Sequence, residues 1–343
     1  MKKKDRELWR RKRQRRYNAK LRKHHRHKKP KPQKPRETLT IAPPPRTEVP
    51  LPGLVNAPEK LSILSDVNGC VRFFNNIRQQ ADVIALRSGI RNVTLNIAEI
   101  SEIDLPTTMV LNALGRELGG QRINLSGNFP DDEQCRDFFE KTGFLNDKVN
   151  GQGVKFNKSE KTDYFTFNKG QGKLSINDTI RICEIVRHAC EHLGHDEFYD
   201  DVVSIIKEIA GNSIEWSKSF RDQWTLGVMF EENRVTFSIL DLGRGILDTI
   251  YRKFLNKLKG LFDNDIDFLS DVFDKQYSSS SREENRYKGL PSIKKAYIEG
   301  KIQNLCVMTN SVLMAFDRPA DSIQFSKSRK AFNGTLYFWE INK

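Results

Sequence analysis

Residues 224–245 read WTLGVMFEENRVTFSILDLGRG, and the fold is decided there. Trp224–Phe230 and Arg234–Leu240 are rich in β-branched and aromatic residues and are joined by Glu231-Glu232-Asn233, the pattern of a hairpin of two strands. The second strand ends in Asp241-Leu242-Gly243-Arg244-Gly245-Ile246. A carboxylate at a strand end can accept a hydrogen bond from the amino group of adenine, and glycines let the backbone approach a nucleotide closely. The Gly-x-Gly pair is not a Rossmann fingerprint, because Asp248 stands where the third glycine belongs. Gly170-Gln171-Gly172-Lys173 also fails as a phosphate loop, lacking Ser or Thr after the lysine.

Working outward, Ile182, Ile185, Val186, Ala189, Cys190 and Leu193 fall on one helical stripe, with Asp178 as its expected cap and Gly194 as its stop. A second helix is expected after Asp196, burying Phe198, Val202, Ile205, Ile206 and Ile209. It carries Glu208-Ile-Ala-Gly-Asn212, whose i, i+4 spacing stacks a carboxylate and an amide on one face. The amide oxygen is a hard ligand suited to magnesium, and the carboxylate can orient an attacking water. Two polar residues on a solvated face is the competing reading. Downstream, about forty residues end in the serine-rich 277–288 (YSSSSREENRYK), which suits a nucleotide lid or a disordered surface loop. Gly289-Leu290-Pro291 then opens a helix through Ile298, whose first-turn amides suit phosphate. Asn333-Gly334-Thr335 opens an alternating strand, Leu336–Ile341.

These four sites in this order resemble the GHKL ATP-binding domain, the fold of DNA gyrase, heat-shock chaperones, histidine kinases and mismatch-repair ATPases. The resemblance covers about 165 residues. It implies Glu208 as the catalytic base and Asn212 as magnesium ligand. It implies Asp241 as the adenine acceptor, with Gly243 and Gly245 lining the base, Gly289 and Leu290 as the lid motif, and Thr335 backing the aspartate. ATP and Mg2+ are the implied cofactors. The chain departs from the family at Tyr287, which holds the first glycine position of the lid motif. Residues 208–217 (EIAGNSIEWS) are most similar to anti-sigma-factor serine kinases, although Ser213 and Trp216 replace the usual alanine and histidine. His188-Ala-Cys-Glu191-His192 matches a zinc-peptidase pattern, but its stripe already belongs to core packing.

The stretch before this domain reads as a smaller α/β unit: strand Val93–Ile97, helix Pro106–Leu118 ended by Gly119-Gly120, strand Arg122–Ser126, and helix Asp132–Lys141 closed by Gly143. Residues 93–127 resemble a STAS domain, the module of anti-anti-sigma factors and sulfate-transporter tails. Leu105 stands where phosphorylatable members carry serine after Asp104. Thr107 and Thr108 read as the start of the helix, so the domain is expected to bind a protein partner rather than accept phosphate.

Residues 1–36 hold nineteen Lys and Arg against two acids, a charge of +17 within a chain of net +14, so the remaining 307 residues sum to −3. Such a segment repels itself and serves as an electrostatic arm for nucleic acid, or alternatively for an anionic membrane surface. Nine of the thirteen prolines lie in residues 30–58, an extended linker. Five cysteines without CxxC spacing read as reduced thiols, and the chain has neither an apolar leader nor an eighteen-residue apolar run.

The expected architecture is therefore α/β (α+β): arm and linker at 1–58, a STAS-like domain at 59–150, and a two-layer GHKL-type sandwich at 175–343 with its lid at about 247–288. The expected protein is a cytoplasmic, ATP-dependent regulator, a slow ATPase or a serine/threonine kinase, able to form a homodimer. The alternative is a catalytically degenerate scaffold tethered to nucleic acid by the arm; a zinc hydrolase is a third class.

Overall fold

The first strand lies inside the stretch that reads as linker. In the computed structural model β1 (Leu54–Asn56) pairs in parallel with β3 (Asn92–Asn96), which pairs in parallel with β5 (Asn124–Gly127). The structure describes residues 53–86, 91–142, 144–145, 148–150, 152–156, 165–170, 174–194, 200–216, 224–258, 264–274, 289–328 and 330–343, with backbone alone for 165–170, 212–216 and 253–258. The basic arm, Phe198 and the serine-rich 277–288, with Tyr287, lie outside them.

Between the parallel strands run β2 (Lys60–Leu61), α1 (Val67–Ala85), β4 (Glu102–Ile103) and α2 (Leu105–Gly120), and α3 (Glu133–Lys141) follows β5. Asp104 caps α2 by accepting from Thr107 N, and Pro106 sits in its first turn. The helix ends on Gly119-Gly120, as expected, with Gln121 as its C-cap; the left-handed position is taken by Arg122, with φ of 60°.

The rest of the chain forms β6 (Phe165–Gly170), α4 (Ile176–Leu193), α5 (Asp200–Trp216), β7 (Trp224–Glu231), β8 (Arg234–Asp241), α6 (Ile246–Leu258), α7 (Asp265–Asp274), α8 (Gly289–Ile298), β9 (Gln303–Asn310), β10 (Val312–Ala315), β11 (Ile323–Gln324) and β12 (Phe332–Asn342). Ser175, not Asp178, is the cap of α4; Asp178 completes the capping box, and Gly194 ends the helix at φ 72°. Part of the expected lid is helical, since α6 and α7 occupy it.

The strands make one antiparallel sheet in the order β11-β10-β9-β12-β8-β7-β6. Side chains alternate across a strand, so each strand feeds two cores. On one face, Leu226, Val228, Ile239, Tyr337 and Trp339 pack with residues of α4 to α8, and Trp339 stacks on Phe237. On the other, Leu240, Met308, Leu336 and Phe332 join the core of the small parallel sheet. Gly227 of β7 marks the closest approach: a Cβ there would lie 2.8 Å from Met109 Sδ and 3.2 Å from Leu105 Cδ1, both on α2. Arg116 of the same helix donates to Thr225 Oγ1 at 3.1 Å. The large sheet is thus covered on both faces, where a two-layer sandwich was expected. The architecture is mixed α/β: among the described residues a three-stranded parallel sheet, a two-stranded parallel pair of β2 and β4, and the seven-stranded antiparallel sheet share residues 50–343 as a single unit.

Candidate functional site

β8 ends in Asp241, and antiparallel register sets Thr335 of β12 directly opposite it. Cross-strand partners share a face, here the helix-bearing one, since the next pair on that side is Ile239 and Tyr337. Asp241 is 8% exposed, and burial alone raises its carboxyl to about 8. Its Oδ1 has no hydrogen-bond partner. Two other buried polar atoms among the described residues share that state, the indole nitrogens Trp224 Nε1 and Trp339 Nε1. Those are single donors on large apolar rings in the core; Asp241 is a carboxylate at a strand end, followed by a glycine-bearing turn.

That turn approaches other chain segments closely. Gly334 has φ of 143°, and a Cβ on it would lie 2.2 Å from the Asp241 carbonyl oxygen. Gly243 is buried, and Gly245, with φ of 80°, leads into α6.

Glu208 and Gly289 meet across the interface of α5 and α8. A Cβ at Gly289 would lie 1.9 Å from Glu208 Cγ and 2.2 Å from its Oε1, so a side chain on the first residue of α8 would displace Glu208. The Tyr337 hydroxyl's pKa is raised by burial first and then by the charges of Asp241 and Glu208. The two carboxylates, far apart in sequence, therefore act on one buried tyrosine. Leu290 is buried in the helical core. Asn212 lies one turn beyond Glu208 on α5, and its side chain is outside the described residues. Asp241, Gly243, Gly245 and Thr335 thus lie about the ends of β8 and β12, and Glu208 meets Gly289 at the start of α8.

No family model matches this chain, and no curated protein matches it. Nineteen chains of solved structures do. One is a mycobacterial sensor histidine kinase, MprB, 16% identical with a TM-score of 0.24; the match covers 49% of this chain and 95% of that one. The chemistry of the site rests on its own residues.

Two residues of the site carried no motif. Thr309 Oγ1 accepts from Ile246 N at 2.9 Å and lies 3.3 Å from Thr335 Oγ1. Asn310 Oδ1 accepts from Leu247 N at 3.0 Å and Asp248 N at 3.3 Å, while its Nδ2 donates to the Arg244 carbonyl at 2.8 Å. Their only sequence signal is an Asn in a three-residue polar stretch, Thr309-Asn310-Ser311, the residue type that tolerates the left-handed conformation it adopts at φ 57°.

Elsewhere, Asp104 Oδ2 accepts from Ser62 Oγ at 2.9 Å and Leu64 N at 3.0 Å. Burial raises its carboxyl, against the pull of these hydrogen bonds. Thr107 and Thr108 are fully buried; Thr107 Oγ1 accepts from Ile63 N and Thr108 Oγ1 donates to the Leu105 carbonyl. His188 and His192 of the zinc-like pattern both pack against Phe230, and His192 Nε2 donates to the Glu231 carbonyl at 2.8 Å. No helix among the described residues is long and apolar enough to cross a membrane.

Proposed function

We propose that residues 175–343 form a GHKL-type site for ATP with magnesium, joined to a STAS-like unit, in a cytoplasmic regulatory ATPase or serine/threonine kinase. The observation that carries this reading is the buried carboxylate of Asp241 with its unpartnered Oδ1. A buried acceptor left unsatisfied costs about 1–3 kcal/mol, and the exocyclic amino group of adenine would remove that cost. The residues present fit the rest of the nucleotide: Gly243 and Gly245 next to the carboxylate, Thr335 opposite it, and the amide-bearing start of α8 at Gly289.

When bound, the nucleotide supplies a transferable phosphoryl group. In this chain the ionised Asp241 accepts from the base and selects against a carbonyl in place of the amino group. The first turn of α8 presents N–H groups to anionic oxygens. Glu208 would take a proton from, or orient, the attacking water or hydroxyl, and Asn212 would supply a hard oxygen to magnesium. The alternative reading, a degenerate scaffold, rests on Tyr287 in place of a lid glycine; it retains binding and lacks turnover.

The test is base selectivity. Inosine triphosphate differs from ATP at the position Asp241 would read, offering a carbonyl instead of an amino group. Competition of ATP, inosine triphosphate and GTP for the full chain with magnesium at about pH 9, where Asp241 is ionised, should show ATP preferred by about tenfold or more. Equal affinity for ATP and inosine triphosphate would refute the role of Asp241.

A further inference from the structure

We infer that Asn310, the last residue of β9 at the turn into β10, is a positioning residue of the nucleotide site; the inference rests on the ATP reading above. A helix start leaves its first N–H groups without intrahelical acceptors, and local caps usually satisfy them. At α6 this is done from a distant part of the chain. Thr309 Oγ1 takes Ile246 N, and Asn310 Oδ1 takes Leu247 N and Asp248 N. Asn310 Nδ2 reaches back to the carbonyl of Arg244, inside the glycine turn. One amide therefore ties the glycine turn at Arg244 to the first turn of α6.

Asn310 is 1% exposed and left-handed, a conformation most side chains avoid. Gly245 is shaped around it, because a Cβ there would fall 2.3 Å from Asn310 Oδ1. The next residue extends the device: Ser311 Oγ donates to Asp265 Oδ2 at 2.6 Å, at the start of α7. Thr309 ties the same turn to Thr335 and to the Gly334 carbonyl. The turn thereby fixes the glycine segment relative to Asp241 and Thr335, the two residues facing the base.

The variants are Asn310→Gly, which keeps the left-handed backbone and removes the amide, and Asn310→Asp, which keeps both acceptor bonds and loses the donor to Arg244. Calorimetry of the full chain with ATP, ADP and AMP is paired with amide exchange of residues 242–250 without nucleotide. The expected result for Asn310→Gly is an affinity loss of about tenfold, equal for all three nucleotides because the base end is affected, with faster exchange in 242–250. Asn310→Asp, which sets an oxygen against the Arg244 carbonyl, should recover only part of either. Wild-type affinity in Asn310→Gly overturns the inference and leaves the ATP reading standing. A wild-type chain that binds none of the three nucleotides overturns the ATP reading, and the inference with it.

Discussion

A methyl group on Gly289 would sit 1.9 Å from Cγ of Glu208, so the glycine that opens α8 is set by the carboxylate beside it. The two residues were singled out separately in the sequence, one as a base and the other as a helix-entry glycine. Gly289→Ala should therefore destabilise the fold by about 1–3 kcal/mol, the cost typical of overpacking, and displace Glu208. Adding Glu208→Ala should return part of that loss. A double-mutant cycle by chemical denaturation checks this: strong coupling is expected, and additive effects would separate the two residues.

The buried Asp241 carboxyl gives a pH signature. Its folded value of about 8 lies above its ordinary 3.8, so between these values the folded state holds more protons than the unfolded one. Stability is then highest below the ordinary value and is lost as pH rises through about 8. Asp241→Asn removes the ionisation, so without nucleotide it should be more stable than wild type at pH 9 and gain less at pH 5. Thermal melts at these two pH values test the sign. For binding the dependence is reversed: an amino donor favours the ionised carboxylate, so ATP affinity should rise with pH through the same range.

The shared core predicts cooperative unfolding. Met109 packs against Gly227, and Leu240, Met308 and Leu336 lie in the core of the parallel sheet. Met109→Ala should cost about 2–5 kcal/mol and shift one transition seen equally by probes in either sheet. Two separated transitions in wild type would show independent domains. Residues 175–343 alone would expose that apolar face and are expected to aggregate.

The charge division predicts where nucleic acid binds. Residues 1–36 carry +17 and the remainder −3, so removing 1–36 should abolish a steeply salt-dependent affinity for DNA or RNA while leaving ATP affinity intact. Filter binding at two salt concentrations measures it; a truncated chain that binds as tightly as the full one would place the contact on the folded body, and a preference for anionic vesicles would favour the membrane reading.

Much of the fold could be read because local pattern and tertiary packing agree. Both strands of the 224–241 hairpin are almost wholly buried, and the stripe from Ile182 to Leu193 matches the buried face of α4. Helix α1 is not legible in the sequence although Val67, Cys70, Val71, Phe74, Ile77, Ala81 and Ile84 recur at helical spacing and are buried; Asn-Gly at 68–69 and the polar residues between mask the period. β1 is three residues long and framed by prolines, and its pairing with β3 is a tertiary fact. Helices α6 and α7 were hidden in a segment that reads as variable. In the site, residues fixed by chemistry at a motif spacing, Glu208, Asp241 and Gly289, could be found. Asn310 could not, because its role depends on a partner 66 residues away, the carbonyl of Arg244.

The most direct measurement is calorimetric titration of ATP with magnesium into the full wild-type chain and into Asp241→Asn, with thermal melts showing that both are folded. The account predicts binding by wild type and a loss of at least tenfold in the variant, whose amide offers the base a donor as readily as an acceptor. Equal affinity in the two proteins, or no ATP binding by folded wild type, would contradict it.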